Sequence, residues 1–211
     1  DMGVNMAGNC ICDDEACREA SKQEIIRRYF DALNALAKGS TSEKEAQKIE
    51  LLMNMAGITV TDRKVVIKAL ERAKETDGPA AALELRDGRI ITGKTTNLLG
   101  ASAALLLNVL KVLAGIDHET HIISPESIEP IQKLKVDYLK SKNPRLHTDE
   151  VLIALSASAA TNPQARLALS QLPELAGCQA HTSVMLSDVD IKIFKKLEVQ
   201  LTSEAVYEHA L

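Results

Sequence analysis

The segment from residue 92 to residue 97 carries the residue types of an anion-binding site. Lys94, Thr95, Thr96 and Asn97 stand between a predicted strand and a predicted apolar helix. Backbone amides at a helix N-terminus attract anions, and a neighbouring lysine and hydroxyl groups add charge and hydrogen-bond donors. We therefore predict that these four residues bind the anionic group of a ligand. The alternative is a glycine turn in which a threonine or the asparagine caps the following helix.

The same segment formally matches the phosphate-binding string G-x-x-x-x-G-K-[ST], from Gly88 to Thr95. A true P-loop follows its strand, whereas residues 89–92 are themselves strand-like and Asp87-Gly88 is a hairpin signal. The sequence context therefore favours a looser anion site over a P-loop.

A second polar cluster occupies residues 143–150, at another predicted helix start. Arg145 can hold a phosphate or carboxylate, and His147 with Asp149 can form a proton-transfer pair. We predict that Arg145 binds the ligand and that His147 and Asp149 are catalytic, provided that the two helix starts converge on one cleft. In the alternative interpretation, Thr148 or Asp149 is an ordinary N-cap and Glu150 offsets the helix dipole.

The cysteines and histidines predict no metal site. Cys10, Cys12 and Cys17 lack the paired C-x2-C spacing and the nearby histidine that a zinc site needs. Cys178 and His181 are three residues apart, so a Cys-His nucleophilic pair on one face is not assured. The sequence leaves the cofactor unknown.

Composition excludes several classes of partner. The net charge is −4, and no basic lobe or polybasic stretch is present for nucleic acid or an anionic membrane surface. The chain has no tryptophan and only two phenylalanines and three tyrosines, which argues against base-stacking and carbohydrate sites. Four cysteines and no signal-peptide pattern favour a reduced, cytoplasmic setting.

Hydrophobic periodicity divides the chain into an irregular segment, a helical subdomain and an αβα subdomain. The start in Asp-Met-Gly suggests a fragment of a longer protein. Three amphipathic patterns joined by short loops predict a small helical bundle. The predicted subdomain boundaries are residues 1–20, 21–79 and 80–211, and the predicted helices of the bundle cover residues 21–36, 42–55 and 62–76.

The remainder of the chain alternates strands and helices. Residues 98–113 are apolar on almost every side, which predicts a buried helix. The interleaving predicts an α/β fold, a three-layer αβα sandwich with a mixed sheet of about five strands. The predicted strands cover residues 80–85, 89–92, 120–124, 179–186 and 199–203.

Five strings in the sequence carry a family resemblance. They are DMGVNMAGN (1–9), REASKQEIIRRY (18–29), TTNLLGAS (95–102), SPE (124–126) and NPRLHTDEVLIAL (143–155). With these strings the chain resembles, over essentially its whole length, the bacterial domain of unknown function 1846 family, also called uncharacterised protein family 0371.

The resemblance implies that the chain is the C-terminal part of a protein about twice as long. The N-terminal half of that family carries a glycine-rich loop suggestive of nucleotide or phosphate binding. The resemblance also implies that the chain has a helical subdomain and an αβα subdomain, the latter similar in topology to cytidine deaminases. Neither the H-x-E nor the P-C-x-x-C motif of those enzymes occurs here, so no ligands are present for their zinc-bound water. The family supplies no established catalytic residues.

Two functional hypotheses follow. The first is a cytoplasmic enzyme that binds a nucleotide or another phosphorylated or anionic small molecule together with the missing N-terminal half of the same protein. The second is a structural, oligomerisation module in which the polar clusters are only helix caps. A homo-oligomer is predicted under either hypothesis.

Overall fold

The computed structural model describes residues 13–208. Its contacts divide the chain into two units that meet in sequence between Arg63 and Lys64. The boundary expected from the sequence lies later, at residue 79, because an amphipathic pattern over residues 62–76 does not reveal whether its apolar face packs on helices or on a sheet. In the structure this helix belongs to the second unit and packs on the sheet.

The first unit contains two long helices. α1 spans Asp14–Ala37 and α2 spans Glu43–Ala56. Gly57, in the left-handed conformation with φ of 66°, ends α2. Both helices are predicted from the sequence, but the buried face of α2 is not, since Met53 is buried while three apolar residues of the predicted face are exposed. These exposed residues are Leu51, Leu52 and Met55.

The predicted start of α1 at Ser21 is wrong. Asp13 caps the helix, because its carboxylate accepts a hydrogen bond of 2.9 Å from a backbone amide of the first turn. Ser21 lies inside the helix and donates its hydroxyl hydrogen to the carbonyl of Cys17 at 2.8 Å. Residues 14–20 are therefore helical rather than irregular, while the predicted irregular residues 1–12 lie outside the described residues.

The second unit is built on a mixed four-stranded sheet. Its strands are β1 (Ala80–Glu84), β2 (Ile90–Lys94), β3 (Gln179–Thr182) and β4 (Gln200–Ser203). Their order across the sheet is β2-β1-β3-β4, with β1 antiparallel to both of its neighbours and β3 parallel to β4. The predicted hairpin is confirmed, and Gly88 in its turn has φ of 83°, a conformation that favours glycine.

The predicted strand over residues 120–124 is wrong, and the sheet of the described residues has four strands rather than five. Asp117 organises a turn there, because its carbonyl accepts a hydrogen bond from the Thr120 amide. Ile122 and Ile123 are both buried although they belong to no strand.

Helices cover both faces of the sheet. On one face, α3 (Lys64–Thr76) packs its residue Ala69 against Ala82. On the other face, α4 (Ala101–Leu113) belongs to the main hydrophobic core together with Leu83. The predicted α/β architecture with a mixed sheet is confirmed in this form, whereas the likeness to cytidine deaminases stays a prediction.

The remaining helices position the loops at one end of the sheet. They are α5 (Pro125–Lys133), which continues into a π-helical turn over Leu134–Tyr138, α6 (Thr148–Ser158), α7 (Pro163–Leu169) and α8 (Asp188–Lys196).

None of the helices within residues 13–208 is long and apolar enough to cross a membrane.

Gly93 of β2 lies directly against the backbone of α4. A Cβ atom at this position would lie 2.2 Å from the amide nitrogen of Leu105 and 2.8 Å from the carbonyl oxygen of Ala101. Backbone atoms cannot give way as a flexible side chain can, so only glycine fits. The glycine of the Gly-Lys-Thr string therefore serves close packing of strand and helix.

We expect Gly93→Ala to lower the free energy of unfolding by roughly 3 kcal/mol, because strand and helix must move apart to admit the methyl group. Urea unfolding of the purified variant measures the change. Gly78→Ala is the matched control, since a Cβ there meets only the Thr76 carbonyl at 3.8 Å, an ordinary contact. Equal stability of the two variants would contradict this account of the packing.

Candidate functional site

The two predicted helix starts lie side by side. The backbone of Leu146, just before α6, donates to the Leu98 carbonyl at 2.9 Å and accepts from the Gly100 amide at 3.2 Å. The Arg145 Nε atom donates to the carbonyl of Thr96 at 3.0 Å. These bonds hold the loop between β2 and α4 against the loop that precedes α6.

A small pocket of about 60 Å³ lies beside these loops and the start of α8, and we call it the Arg145 pocket. Three of the residues predicted as a site, Thr95, Arg145 and His147, line it. The polar side chains of its wall are Thr95, Ser102, Asn143, Arg145, His147, Ser187, Asp190 and Glu208.

Three helices begin at this pocket. The residues at their N-cap positions, Gly100 for α4, His147 for α6 and Ser187 for α8, all line its wall. Gly100 has no side chain, so the first turn of α4 has no side-chain cap. Because a helix N-terminus carries a partial positive charge, the uncapped start of α4 and the guanidinium of Arg145 favour an anion here, while side chains already bond amides at the starts of α6 and α8.

His147 is held by Asp190 and not by the predicted Asp149. Its Nδ1 atom lies 3.0 Å from Asp190 Oδ2, and the Ser187 hydroxyl donates to the same oxygen at 2.7 Å. The amide and the hydroxyl of Thr148 donate to Asp190 Oδ1 at 2.9 and 2.8 Å. Asp190 is thus a buried carboxylate, 3% exposed, with four hydrogen bonds.

These contacts shift the two pKa values in opposite directions. Burial by itself raises the pKa of Asp190, but the hydrogen bonds from His147, Thr148 and Ser187 outweigh burial and lower that pKa to about 2. The hydrogen bond to Asp190 raises the pKa of His147 against the opposing effect of its own partial burial. The imidazolium and the carboxylate therefore stabilise each other's charged forms.

A buried ion pair fixes the backbone that carries Arg145 and His147. Lys135, 5% exposed, places its Nζ atom 2.7 Å from Glu150 Oε2 and donates to the Arg145 carbonyl at 2.6 Å. The same Glu150 oxygen accepts a hydrogen bond of 2.8 Å from the His147 amide. Glu150 thus caps α6 and also anchors the loop, while the N-cap position is held by His147 and not by the predicted Thr148 or Asp149.

Asp149 does not join the pair at His147. Its Oδ1 atom is buried and has no hydrogen-bond partner within the described part of the chain. The predicted proton-transfer pair of His147 and Asp149 is therefore replaced by one of His147 and Asp190.

Lys94, Thr96 and Asn97 line a different cavity, of about 800 Å³, which we call the Lys111 cavity. Lys94 ends β2 and is exposed. Thr96 closes a local turn, because its hydroxyl oxygen accepts from backbone amides two and three residues later at 3.2 and 3.0 Å. The predicted four-residue anion site is thus divided between two cavities, and Thr95 alone of the four faces the Arg145 pocket.

Cys178 and His181, the pair considered in the sequence, are both buried. Burial raises the pKa of the Cys178 thiol, and His181 is fully buried with its Nδ1 atom 2.8 Å from the Thr202 hydroxyl. No group of three or more metal-binding side chains occurs within residues 13–208. Cys10 and Cys12 lie outside the described residues.

Three residues of the site are not predicted from the sequence: Asp190, Ser187 and Glu208. The three-residue spacing of Ser187 and Asp190 is ordinary for a helix N-cap, and the Ser187 hydroxyl does accept from the Asp190 amide at 3.2 Å. That spacing gives no sign that the carboxylate also binds a histidine 43 positions earlier in the chain.

Comparisons with known proteins match this chain to one family. The model described as "Domain of unknown function DUF1846, C-terminal" matches residues 61–211, and the model described as "Domain of unknown function DUF1846, N-terminal" matches residues 1–57. The prediction of a C-terminal part alone is thereby corrected, since both models match.

Curated relatives share the whole length of this chain. A UPF0371 protein of Corynebacterium aurimucosum is 59% identical over 207 residues, which are 98% of this chain and 42% of the relative. A UPF0371 protein of Streptococcus thermophilus is 49% identical over 209 residues, 99% of this chain and 42% of the relative. The chain thus spans less than half the length of these relatives.

We expect Asp190→Asn to lower the pKa of His147, because the variant removes the carboxylate that stabilises the imidazolium while the burial of the ring remains. A pH titration of the His147 ring signals by NMR measures the change. Asp188→Asn is the control, since Asp188 is an exposed carboxylate in the first turn of the same helix. An unchanged His147 pKa in Asp190→Asn would contradict the assigned pair.

The same pair should make stability depend on pH. The Asp190 pKa falls from 3.8 to about 2 on folding, so its contribution of roughly 2 kcal/mol is complete above pH 3.8 and is lost as the pH falls toward 2. The His147 pKa is raised above 6.5, so its contribution is complete below pH 6.5 and is lost at higher pH. The stability difference between wild type and Asp190→Asn, measured by urea unfolding, should therefore be largest between these limits. A difference that grows above pH 7 would contradict the assignment.

Proposed function

The chain belongs to the DUF1846 family, and we propose that its Arg145 pocket binds the phosphate or carboxylate of a small molecule and that His147 exchanges a proton with that molecule. One observation carries the proposal. A histidine held by a buried carboxylate lines the same small pocket as an arginine and the starts of three helices.

Anion binding is supported by the charges of the pocket wall. Arg145 contributes a permanent positive charge with planar donors, and the start of α4 contributes amides without a side-chain cap. The Arg145 Nη1 atom contacts Glu208 Oε1 at 2.8 Å. The Glu208 carboxylate already forms an ion pair with this guanidinium, so the anionic group of the ligand must displace Glu208 when it binds.

Acid–base chemistry is supported by the orientation of the imidazole. With Nδ1 directed to Asp190, the remaining ring nitrogen, Nε2, is the one that can take up or release a proton. Asp190 acts as a positioning residue, because it fixes the ring and stabilises its charged form. Ser187 donates to Asp190 rather than to Nε2, which favours proton transfer over attack by a serine nucleophile.

The size of the pocket limits which part of the ligand enters it. A cavity of about 60 Å³ accommodates a single small polar group and not a complete nucleotide. The rest of a nucleotide or other phosphorylated molecule then lies outside the pocket. We propose that the part of the longer relatives that this chain does not span completes the binding site. A cytoplasmic location and a homo-oligomeric state stay predictions.

A structural module without a site is the second candidate function. It is favoured by one observation, the three exposed apolar side chains of α2. Exposed apolar residues on one helix suit subunit association. In that case the Arg145 pocket would bind no anion, so the titration described next separates the two functions.

We expect inorganic phosphate to shift the NMR signals of His147 in a saturable way. Arg145→Met should weaken phosphate binding about tenfold, the usual cost of losing a charge-assisted hydrogen bond. Glu208→Gln should strengthen binding about threefold or more, because the competing carboxylate is gone while the fold is unchanged. NMR titration of the three proteins measures these affinities.

Arg89→Met is the matched control, because Arg89 pairs only locally with Asp87 in the hairpin turn and is exposed. This variant should bind phosphate like the wild type. The proposal fails if phosphate leaves the His147 signals unmoved, or if Arg145→Met and Arg89→Met bind it equally well.

A further inference from the structure

The Lys111 cavity has a largely aliphatic wall. Partly buried aliphatic side chains of the main core line it, among them Leu98, Leu107, Val112 and Ile116. Its volume of about 800 Å³ falls within the range of ligand pockets, which bury most of a small organic molecule. All of its lining residues belong to the second unit of the chain.

The charges on this wall have one sign. The ionisable residues that line the cavity, within the described chain, are all basic, and neither aspartate nor glutamate is among them. They are Arg72, Lys94, Lys111, His118 and His121. This balance contrasts with the net negative charge of the whole protein.

Lys111 is a buried cation without an ion-pair partner among residues 13–208. It is 9% exposed, and its ammonium group donates to the backbone carbonyl of His118. Burial lowers the pKa of Lys111, and the charges of Asp117 and Glu119 oppose that effect only in part. Since a buried charge without a counter-ion is costly, an anion in the cavity would stabilise it.

Arg72, a second cationic residue of the wall, has one hydrogen-bond donor that lacks a partner in the described part of the chain. Its Nη1 atom contacts Glu75 at 3.1 Å, but its Nε atom is buried and has no hydrogen-bond partner in the described part of the chain. Arg72 and Lys111 come from α3 and α4, so two different helices contribute cationic side chains to the wall.

We propose that the Lys111 cavity binds an amphiphilic organic anion, a molecule with an elongated apolar body that ends in a carboxylate or a phosphate. The aliphatic wall takes the apolar body and Lys111 pairs with the anionic end. This site is separate from the Arg145 pocket and does not depend on the function proposed for it.

Three probes of equal chain length test the proposal: decanoate, decyl phosphate and decanol. Calorimetric titration should give at least tenfold tighter binding of decanoate or decyl phosphate than of decanol, because decanol alone lacks the charge. The better of the two anions identifies the headgroup. Absence of anion binding, or equal binding of decanol, would overturn the proposal.

Lys111→Met tests the role of the cation. The methionine keeps an apolar stem of similar length, so the melting temperature should stay the same or rise. Affinity for decanoate should fall to the level of decanol, while affinity for decanol should not fall. Lys196→Met, at an exposed lysine of α8, should bind all three probes like the wild type. Unchanged decanoate affinity in Lys111→Met would refute the assigned ion pair.

Two further variants locate the binding. Glu208→Gln, which should strengthen anion binding in the Arg145 pocket, should leave decanoate affinity unchanged, whereas a gain would place the probe in that pocket and overturn the proposal. Leu107→Trp should weaken all three probes, because the indole fills the cavity. Leu107→Trp should not change the oligomeric state measured by sedimentation. A wild-type dimer that Leu107→Trp abolishes would mean that a second copy of the chain covers this surface.

Discussion

The buried carboxylate of Asp190 is the constraint on which the candidate site depends. It accepts four hydrogen bonds, one from His147, two from Thr148 and one from Ser187. The start of α6 is thereby fixed to α8, two helices that are distant in sequence. An ionised carboxylate buried in this way is stable only while all of its donors are present, so the geometry of the site and the packing of the two helices form one unit.

The loop between β2 and α4 separates two environments of different character. Thr95 lines the small polar pocket, and Lys94, Thr96 and Asn97 line the large apolar cavity. The loop is held on the side of the small pocket by Arg145, which donates to the Thr96 carbonyl. A shift of this loop would therefore alter both cavities together.

Local signals in the sequence predict most of the elements and part of the site. Asp87-Gly88 gives the hairpin, because its turn needs a residue of positive φ. The cluster around Arg145 and His147 is predicted as a helix start that faces a cleft, and the structure places it at the Arg145 pocket. The partner of His147 is not predicted, since Asp149 is near in sequence while Asp190 is near only after folding.

The remaining differences have the same origin. The polar residues 14–20 show no apolar periodicity because they are exposed, although Asp13 caps a helix there. Residues 120–124 have the composition of a strand, yet they pair with no strand of the sheet, and Thr120 instead closes a turn with Asp117. Periodicity thus misses an exposed helix and does not reveal whether a short apolar segment pairs with a strand.

The segment that follows β4 contacts three separate residues of the second unit. Glu204 Oε1 lies 3.3 Å from Nε2 of the buried His181, and the Val206 carbonyl accepts a hydrogen bond of 2.8 Å from the Met185 amide. Glu208 accepts a hydrogen bond from the Arg145 guanidinium. His181 faces the same side of the sheet as Ala82, the side that α3 covers. An anion that displaces Glu208 would free the C-terminal end of the segment 204–208. The N-terminal end of this segment contacts His181 on the α3 side of the sheet, so binding in the Arg145 pocket would affect the layer formed by α3 through the chain.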